Sequence, residues 1–339
     1  MFNYIGIDVS KATLQVYIPI KDENISIDNS KKALISLYSK LKKYYKKEIA
    51  NLVIIFEPTG SYSALLKRFC ADKNIYAFII NPRQSANFAK ALDNRSKSDI
   101  IDAKMLYKFH VMLKDSDIAV PIINKAQEEL SEMLTYYKFL QKQRVSFSNH
   151  LEALSAKDGS LYITKKLIKE VKQLREQEEE MILKMKSLII SDEIMALKFE
   201  NITSIVGIGD RAGIALIHLF ISYPDANRQE IVALSGLDAI ENTSGTSVQK
   251  RTRISKRGSA IYRSMLFMPV LSAIQHNPYM KLFYDRLKTN GKHSTSAQIA
   301  VMRKMILIAH SLYKNDVQFD SKLYEKNLAR KEQDIQKVA

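Results

Sequence analysis

Tyr4-Ile5-Gly6-Ile7-Asp8-Val9, then Thr13 to Ile20 and Ile25 to Asp28, is the stretch whose reading decides the fold class. The segments read as three consecutive strands, the first two joined by the short turn Ser10-Lys11-Ala12, and strands in such close succession form an antiparallel meander. Outward from it, helical pattern begins near Ser30, a strand covers Leu52 to Glu57, and a helix starts at Ser61. A strand then covers Ile75 to Asn81, and helical pattern resumes near Ser98. A meander followed by alternating helices and strands predicts an α/β domain, a mixed sheet with helices on both faces.

Beyond this domain the breakers thin out. No glycine lies between Gly60 and Gly159 and no proline between Pro121 and Pro224, so the middle of the chain is expected to be long helix. Ala126, Leu130, Met133, Tyr137, Leu140, Phe147, Leu151 and Leu154 keep a three-four spacing broken at Arg144. After a turn over Ser155 to Ser160 the spacing resumes at Leu167, Val171, Leu174, Met181, Met185 and Leu188. This predicts an antiparallel helical hairpin or coiled coil, whose stripe serves either self-association or packing on its own domain. Farther on, Ile202 to Leu216 sets Gly207 and Gly209 between two short helical patterns. That arrangement resembles a helix-hairpin-helix module, whose backbone N–H groups hold a DNA phosphate, and is equally compatible with an ordinary tight turn.

The 339 residues carry 52 Lys plus Arg against 36 Asp plus Glu, a net +16. The excess is uneven: +8 over residues 1–110, −1 over 111–200 and +9 over 201–339. Two basic ends around a neutral middle make a polyanion, nucleic acid first, the leading partner, although an inert basic surface has the same composition. The single cysteine, Cys70, excludes a disulfide scaffold and every multi-cysteine metal site. Apolar runs such as Leu52 to Phe56 and Ala77 to Ile80 are far too short to span a bilayer, and Met1 to Ile5 lacks an export signal, so a cytoplasmic, nucleoid-associated protein is expected. The six histidines are scattered without metal spacing and there is no Walker loop, which argues against zinc hydrolysis and ATP use.

Four acids stand out. Asp8 is the lone acid of the first strand, between Ile7 and Val9, and alternation turns it away from them. Glu57 closes the apolar run Leu52 to Phe56, at the carboxyl edge where sheet ligands collect. Asp99 and Asp102 are three apart in a helical pattern and share a face. Singly, Asp99 can cap a helix and Asp102 can belong to a solvated face; together they form a set of hard oxygen donors suited to one or two Mg²⁺ ions.

Residues Gly236 to Val248 read as a polar loop with neither helical nor strand period. After it Lys250, Arg251, Arg253, Lys256, Arg257 and Arg263 supply six positive charges with no acid among them, a phosphate clamp by composition. From the residues alone, Ser244 is a loop serine beside these cations. A hydroxyl becomes a nucleophile toward phosphorus only when its proton is removed and the developing charge is stabilised.

Gly6-Ile7-Asp8-Val9-Ser10-Lys11, Glu57-Pro58-Thr59-Gly60-Ser61-Tyr62, Ser98-Asp99-Ile100-Ile101-Asp102-Ala103, and Ser244-Gly245 followed by Arg253 to Gly258 together resemble the DEDD transposases of insertion sequences. These are RuvC-like recombinases related to the Piv pilin-gene invertases. The resemblance runs from about Gly6 to Tyr313, with one departure at Ala239, where the pattern has proline. It implies a ribonuclease-H-like (RuvC-like) metal domain over 1–115, a helical linker for oligomerisation over 116–198, a C-terminal, mostly helical domain over 199–325 and a polar tail over 326–339.

By the same resemblance, Asp8, Glu57, Asp99 and Asp102 bind Mg²⁺ and Ser244 forms a transient phosphoserine bond to DNA, with Ser247 the competing position. Lys11, Gly207, Gly209 and the six cations contact nucleic acid. The implied partners are donor and target DNA, a structured bridge RNA that guides both, and further copies of the chain, as a tetramer. The alternatives are a Piv-like invertase, a hydrolytic RuvC-like junction nuclease in which water replaces the serine, and a non-catalytic nucleic-acid-binding protein.

Overall fold

Strands β1 (Asn3–Val9), β2 (Thr13–Ile18) and β3 (Glu23–Asp28) form the expected meander, and β4 (Leu52–Phe56) and β5 (Tyr76–Ile79) extend it in parallel. The resulting mixed sheet has the order β3-β2-β1-β4-β5. The structure, a computed structural model, describes the backbone of residues 2–92, 99–244, 248–320 and 322, and the side chains of these except 99 and 242–251. The second strand stops short of Ile20 because Pro19 opens a single 3-10 turn and proline cannot donate to a ladder.

One face of the sheet is sealed by helices α1 (Lys31–Tyr45) and α2 (Ala64–Asp72). Leu34, Leu37, Leu41, Leu66 and Phe69 pack there on Ile5, Ile7, Ile54 and Phe56. Ser30 caps α1, its side chain accepting from the Ala33 N–H. Between β5 and the next helix lies α3 (Pro82–Ala91), which the periodicity did not reveal although Asn81 caps it and Pro82 occupies its first turn. The opposite face is covered by α4 (Asp99–Lys108), whose Met105 and Leu106 pack with Phe109, Val53, Ile55 and Ile80. These elements form one compact unit, Met1–Asn124.

The second unit, Lys125–Ala339, begins with the hairpin α5 (Lys125–Ser155) and α6 (Leu161–Ile190). The break in the apolar stripe at Arg144 has a cause: its Nε donates to Glu178 of α6 at 2.6 Å, with the Glu178 side chain only 4% exposed. The pair ties α5 to α6 across the hairpin, and its Glu178 carboxylate, buried away from water, needs that partner. Leu130, Leu134 and Tyr137 of α5 and Ile182, Met185 and Ile189 of α6 share a core with the helices that follow. Those are α7 (Glu193–Thr203), α8 (Asp210–Ser222) and α9 (Arg228–Leu234), then α10 (Ala260–His276), α11 (Pro278–Thr289) and α12 (Ser294–Asn315).

The segment expected to be a polar loop is instead a two-stranded antiparallel hairpin, β6 (Ala239–Ser244) and β7 (Val248–Ile254). Its sequence, Ala239-Ile240-Glu241-Asn242-Thr243-Ser244 and Val248-Gln249-Lys250-Arg251-Thr252-Arg253-Ile254, lacks apolar alternation. The tail expected over 326–339 lies outside the described residues.

Candidate functional site

In β1 the odd residues Ile5, Ile7 and Val9 enter the core shared with α1 and α2, so alternation sends Tyr4, Gly6 and Asp8 to the face covered by α4. Parallel pairing sets Ile7 opposite Phe56. One step further Asp8 and Glu57 leave neighbouring strands at the same edge, where strands are about 4.8 Å apart. Both are half-buried.

Gly6 determines how α4 reaches this edge. A Cβ at Gly6 would stand 2.1 Å from the Ala103 carbonyl oxygen and 2.5 Å from the Tyr107 nitrogen, so the helix backbone rests directly on the strand. Tyr107 lies 5.2 Å from the Tyr17 ring, and His110 stacks on Tyr4 at 4.9 Å. The C-terminal end of α4 therefore points toward the start of β1, and its first turn, with Asp99 and Asp102, points toward the Asp8 end. Four helical residues back from Ala103 rise about 6 Å, which matches the two strand residues from Gly6 to Asp8.

Asp102 is half-buried; the side chain of Asp99 lies outside the described ones. Among the described residues, which do not include the Asp99 carboxylate, no group of three His, Cys, Asp or Glu forms a metal-holding cluster. By donor chemistry the set is all carboxylate, as hard divalent cations prefer.

The loops leaving this edge are tied together by a residue that sequence reasoning missed. The Asn29 side-chain amide donates to the carbonyls of Ser10 and Tyr62, each at 3.0 Å, joining the turns that follow β1, β3 and β4. An asparagine before a helix cap reads as an ordinary turn, so its sequence signal is weak. Lys11, in the turn beyond Asp8, is exposed. Thr59 N–H donates to Ser63 Oγ at 3.2 Å and shapes the turn after Glu57.

In the second unit Gly207, at φ +103°, joins α7 to α8. A Cβ there would meet Ala273 of α10 at 2.7 Å, so this glycine serves packing as well as turning. Gly209, the residue before α8, has open space around it. The neighbouring Asp210 is paired with Lys186 at 2.9 Å.

Ser244 ends β6 and pairs with Val248, the first residue of β7. Gly245 and Ser247 lie outside the described residues, as do the side chains of Ser244, Lys250 and Arg251. Arg253, Lys256 and Arg257 are exposed, and none forms an ion pair with a described residue. Arg263 is placed differently: its guanidinium donates to the Ser235 carbonyl at 2.7 Å and the Gly258 carbonyl at 3.0 Å, bracing the chain at the hairpin base. There Ser255 Oγ also donates to the Asp238 carboxylate.

Residues 5–155 match the family described as Transposase, the DEDD domain of the IS110 group. Residues 199–285 match the Transposase IS116/IS110/IS902 family. The chain is 24% identical over 329 residues to the pilin gene-inverting protein of Moraxella lacunata, covering 95% of this chain and 99% of that one. It is 23% identical over the same length to the pilin gene-inverting protein of Moraxella bovis, again covering 95% and 99%.

Proposed function

Because the chain belongs to the DEDD transposases of the IS110 group and is homologous to the pilin gene-inverting proteins, it is a DNA transposase or recombinase, and we propose that it exchanges DNA strands through a covalent serine–DNA intermediate directed by a guide RNA. In this reading Ser244 Oγ attacks a DNA phosphorus in line. An Oγ–P bond forms as the bond to the departing sugar oxygen breaks, and the hydroxyl proton ends on that oxygen. Attack on the phosphoserine by a sugar hydroxyl of the second duplex reverses the step and frees the serine, so no nucleotide is consumed.

Asp8, Glu57, Asp99 and Asp102 would hold one or two Mg²⁺ ions, which when bound stabilise charge on the attacking and leaving oxygens. Lys250, Arg251, Arg253, Lys256 and Arg257 grip flanking phosphates, with Arg263 bracing the hairpin beneath them. Lys11 and the Gly207–Gly209 turn add backbone contacts.

The observation that carries this reading is the common edge: pairing register takes Asp8 and Glu57 to it, and α4 runs toward it from Gly6. Apolar side chains left open on the hairpin, among them Tyr136, Phe139, Ile168 and Leu183, support assembly of copies into a tetramer through α5 and α6. The net +16 charge supports binding of both DNA and a structured RNA. No helix among the described residues is long and apolar enough to cross a membrane, and the site of action in this reading is the nucleoid. Near-complete coverage of the pilin gene-inverting relatives favours inversion of a fixed segment as the second reading; it uses the same chemistry.

Incubating the protein with Mg²⁺, DNA and its co-purifying RNA, then denaturing it, tests the mechanism. Wild type should leave a protease-resistant serine–DNA adduct and Ser244→Ala none. Asp8→Asn should lower cleavage by about 10³-fold or more while binding persists. Normal cleavage by Ser244→Ala with no adduct in wild type would overturn the serine mechanism in favour of hydrolysis.

A further inference from the structure

Asn29 stands between Asp28, the last residue of β3, and Ser30, the cap of α1. Its backbone N–H donates to the Ala12 carbonyl at 2.8 Å, which seats it against the β1–β2 turn. Its side-chain amide then donates twice, to the Ser10 and Tyr62 carbonyls at 3.0 Å each. Carbonyls only accept, so they fix which end of the amide faces them. The other end, Asn29 Oδ1, is buried with no hydrogen-bond partner among the described residues. An orphaned acceptor costs about as much as a pair of neutral hydrogen bonds contributes. The amide therefore adds little net stability, and its effect lies in what it holds in place.

It holds the two chain exits that carry acids. Parallel pairing between β1 and β4 ends at Ile7 and Phe56, one residue short of Asp8 and Glu57. Beyond Asp8, the Ser10 N–H donates to the Thr13 carbonyl at 2.9 Å and the Thr13 N–H donates to Ser10 Oγ at 3.1 Å, closing one turn. Beyond Glu57, the Tyr62 N–H donates to the Thr59 carbonyl at 3.1 Å and the Thr59 N–H donates to Ser63 Oγ at 3.2 Å, closing the other. Each turn begins two residues past its acid, at Ser10 and at Thr59. The separation that Asn29 imposes on the turns thus reaches Asp8 and Glu57 through short, bonded chain.

We infer that Asn29 is a positioning residue for the divalent cation: by donating to both turns it sets the spacing of Asp8 and Glu57, and through that spacing the affinity of the acidic edge for metal. The proposal rests on the reading of Asp8, Glu57, Asp99 and Asp102 as the metal-holding set. Asn29 acts through the Ser10 and Tyr62 backbones and contributes no ligand of its own. Side chains of a functional site must be held to within about 0.5 Å of the productive geometry, and removing a group that orients metal ligands lowers affinity about 10- to 100-fold.

Mn²⁺ serves as the probe, its binding to the full chain followed by electron paramagnetic resonance of the free ion, with the Mg²⁺ dependence of DNA cleavage followed in parallel. The variants are Asn29→Ala, Asn29→Asp, Asp8→Asn as the loss of a ligand, and Asn3→Ala as a control. Asn3 donates to Glu48 at 3.3 Å at the opposite end of β1, so its loss removes a side-chain bond from the same strand. Asn29→Ala should weaken Mn²⁺ binding about tenfold and raise the Mg²⁺ midpoint of cleavage by a similar factor. Asn3→Ala should move neither. A variant that only unfolds in part loses amplitude and keeps the midpoint. Asn29→Asp keeps the volume, but its ionised carboxylate cannot donate. Its added charge draws a cation, so weaker binding there isolates the lost donation.

Wild-type Mn²⁺ affinity in Asn29→Ala would overturn the proposal. So would an equal loss in Asn3→Ala, or tighter binding in Asn29→Asp, which would make charge rather than spacing decisive. Should Asn29→Ala not fold, Asn29→Asp carries the comparison with Asn3→Ala. Wild type that binds no Mn²⁺, or binds it equally well after Asp8→Asn, fails the metal reading itself. That outcome is distinct from one in which Asp8→Asn loses the ion and Asn29→Ala keeps it.

Discussion

In the five-stranded sheet Asp8 and Glu57 are positioned by apolar neighbours, whereas in the β6–β7 hairpin that carries Ser244 the described anchoring contacts lie at its base. Asp8 sits between Ile7 and Val9, at 0% and 4% exposure, and Glu57 follows a strand buried along its whole length. In the hairpin, Ala239 pairs with Ile254 and Asp238 accepts from Ser255, while Glu241 and Arg253 on the way to the tip are exposed. A two-stranded hairpin by itself is marginal in water and depends on such anchoring. The difference matches the two proposed tasks: carboxylates that share a cation need fixed spacing, while a serine carried on a two-stranded ribbon can move with the ribbon to meet a DNA strand.

The largest expected effect breaks the rigid side of this comparison. In Gly6→Val the new Cβ falls on the backbone of α4, at Ala103 O and Tyr107 N, and backbone cannot turn aside as a side chain can. We expect a loss of about 3 kcal/mol in the N-terminal unit, at the upper end of overpacking costs. Cleavage should drop further than stability, because the helix carrying Asp99 and Asp102 must lift. Urea unfolding and single-turnover cleavage measure the two; wild-type values for both would mean that α4 is not seated on Gly6.

These regions were also unequally legible in the sequence. Asp8 was readable because a lone carboxylate interrupts an alternating apolar strand, and Glu57 because it ends an unbroken apolar run. The seat of α4 on Gly6 was not, since it depends on a contact between residues far apart in the chain. Gly6 belongs to the Gly6-Ile7-Asp8 motif, and the physical reason for it is the close backbone approach of α4. The β6–β7 hairpin is not legible because Glu241, Asn242, Lys250 and Arg251 give no period-two pattern, while packing at its base by Ile254 depends on contacts far along the chain. Counting cations grouped Arg263 with the phosphate clamp, yet its donors face carbonyls. The break at Arg144 was visible as an exception, while Glu178, its partner, was not.

A middle-sized effect separates the units by pH. Burial pulls the pKa of His218, whose Nδ1 lies 3.0 Å from Tyr262 Oη, down to about 4. The unfolded chain takes up this proton near pH 6.5. The folded state thus binds fewer protons between these values, and the stability of the C-terminal unit falls as pH drops from about 6.5 toward 4, by on the order of 2 to 3 kcal/mol.

In the N-terminal unit the described groups held low include the surface carboxylates Asp22, hydrogen-bonded by Tyr17 and then Lys104, and Glu23, hydrogen-bonded first by Lys40. Their contribution is complete above the ordinary carboxylate range and is lost only at lower pH. Melting curves from pH 7 to 4.5 should shift the C-terminal transition down while the N-terminal one holds. Equal shifts in both would contradict this account of His218.

The smallest effect probes the hairpin. Ile254 closes its last pair and is half-buried against the C-terminal core, so Ile254→Ala removes packing at the base and leaves the tip chemistry in place. Since the site is only partly buried, the cost should be about 1 kcal/mol, below the 2 to 5 of a fully enclosed isoleucine. The serine–DNA adduct should still form, with exchange slowed less than about tenfold, which is about 1.4 kcal/mol at the barrier. A loss above about 3 kcal/mol, or no adduct at all, would mean that the ribbon is as firmly built into its unit as β1 is into the sheet, and the contrast between a fixed acidic edge and a lightly anchored serine would fail.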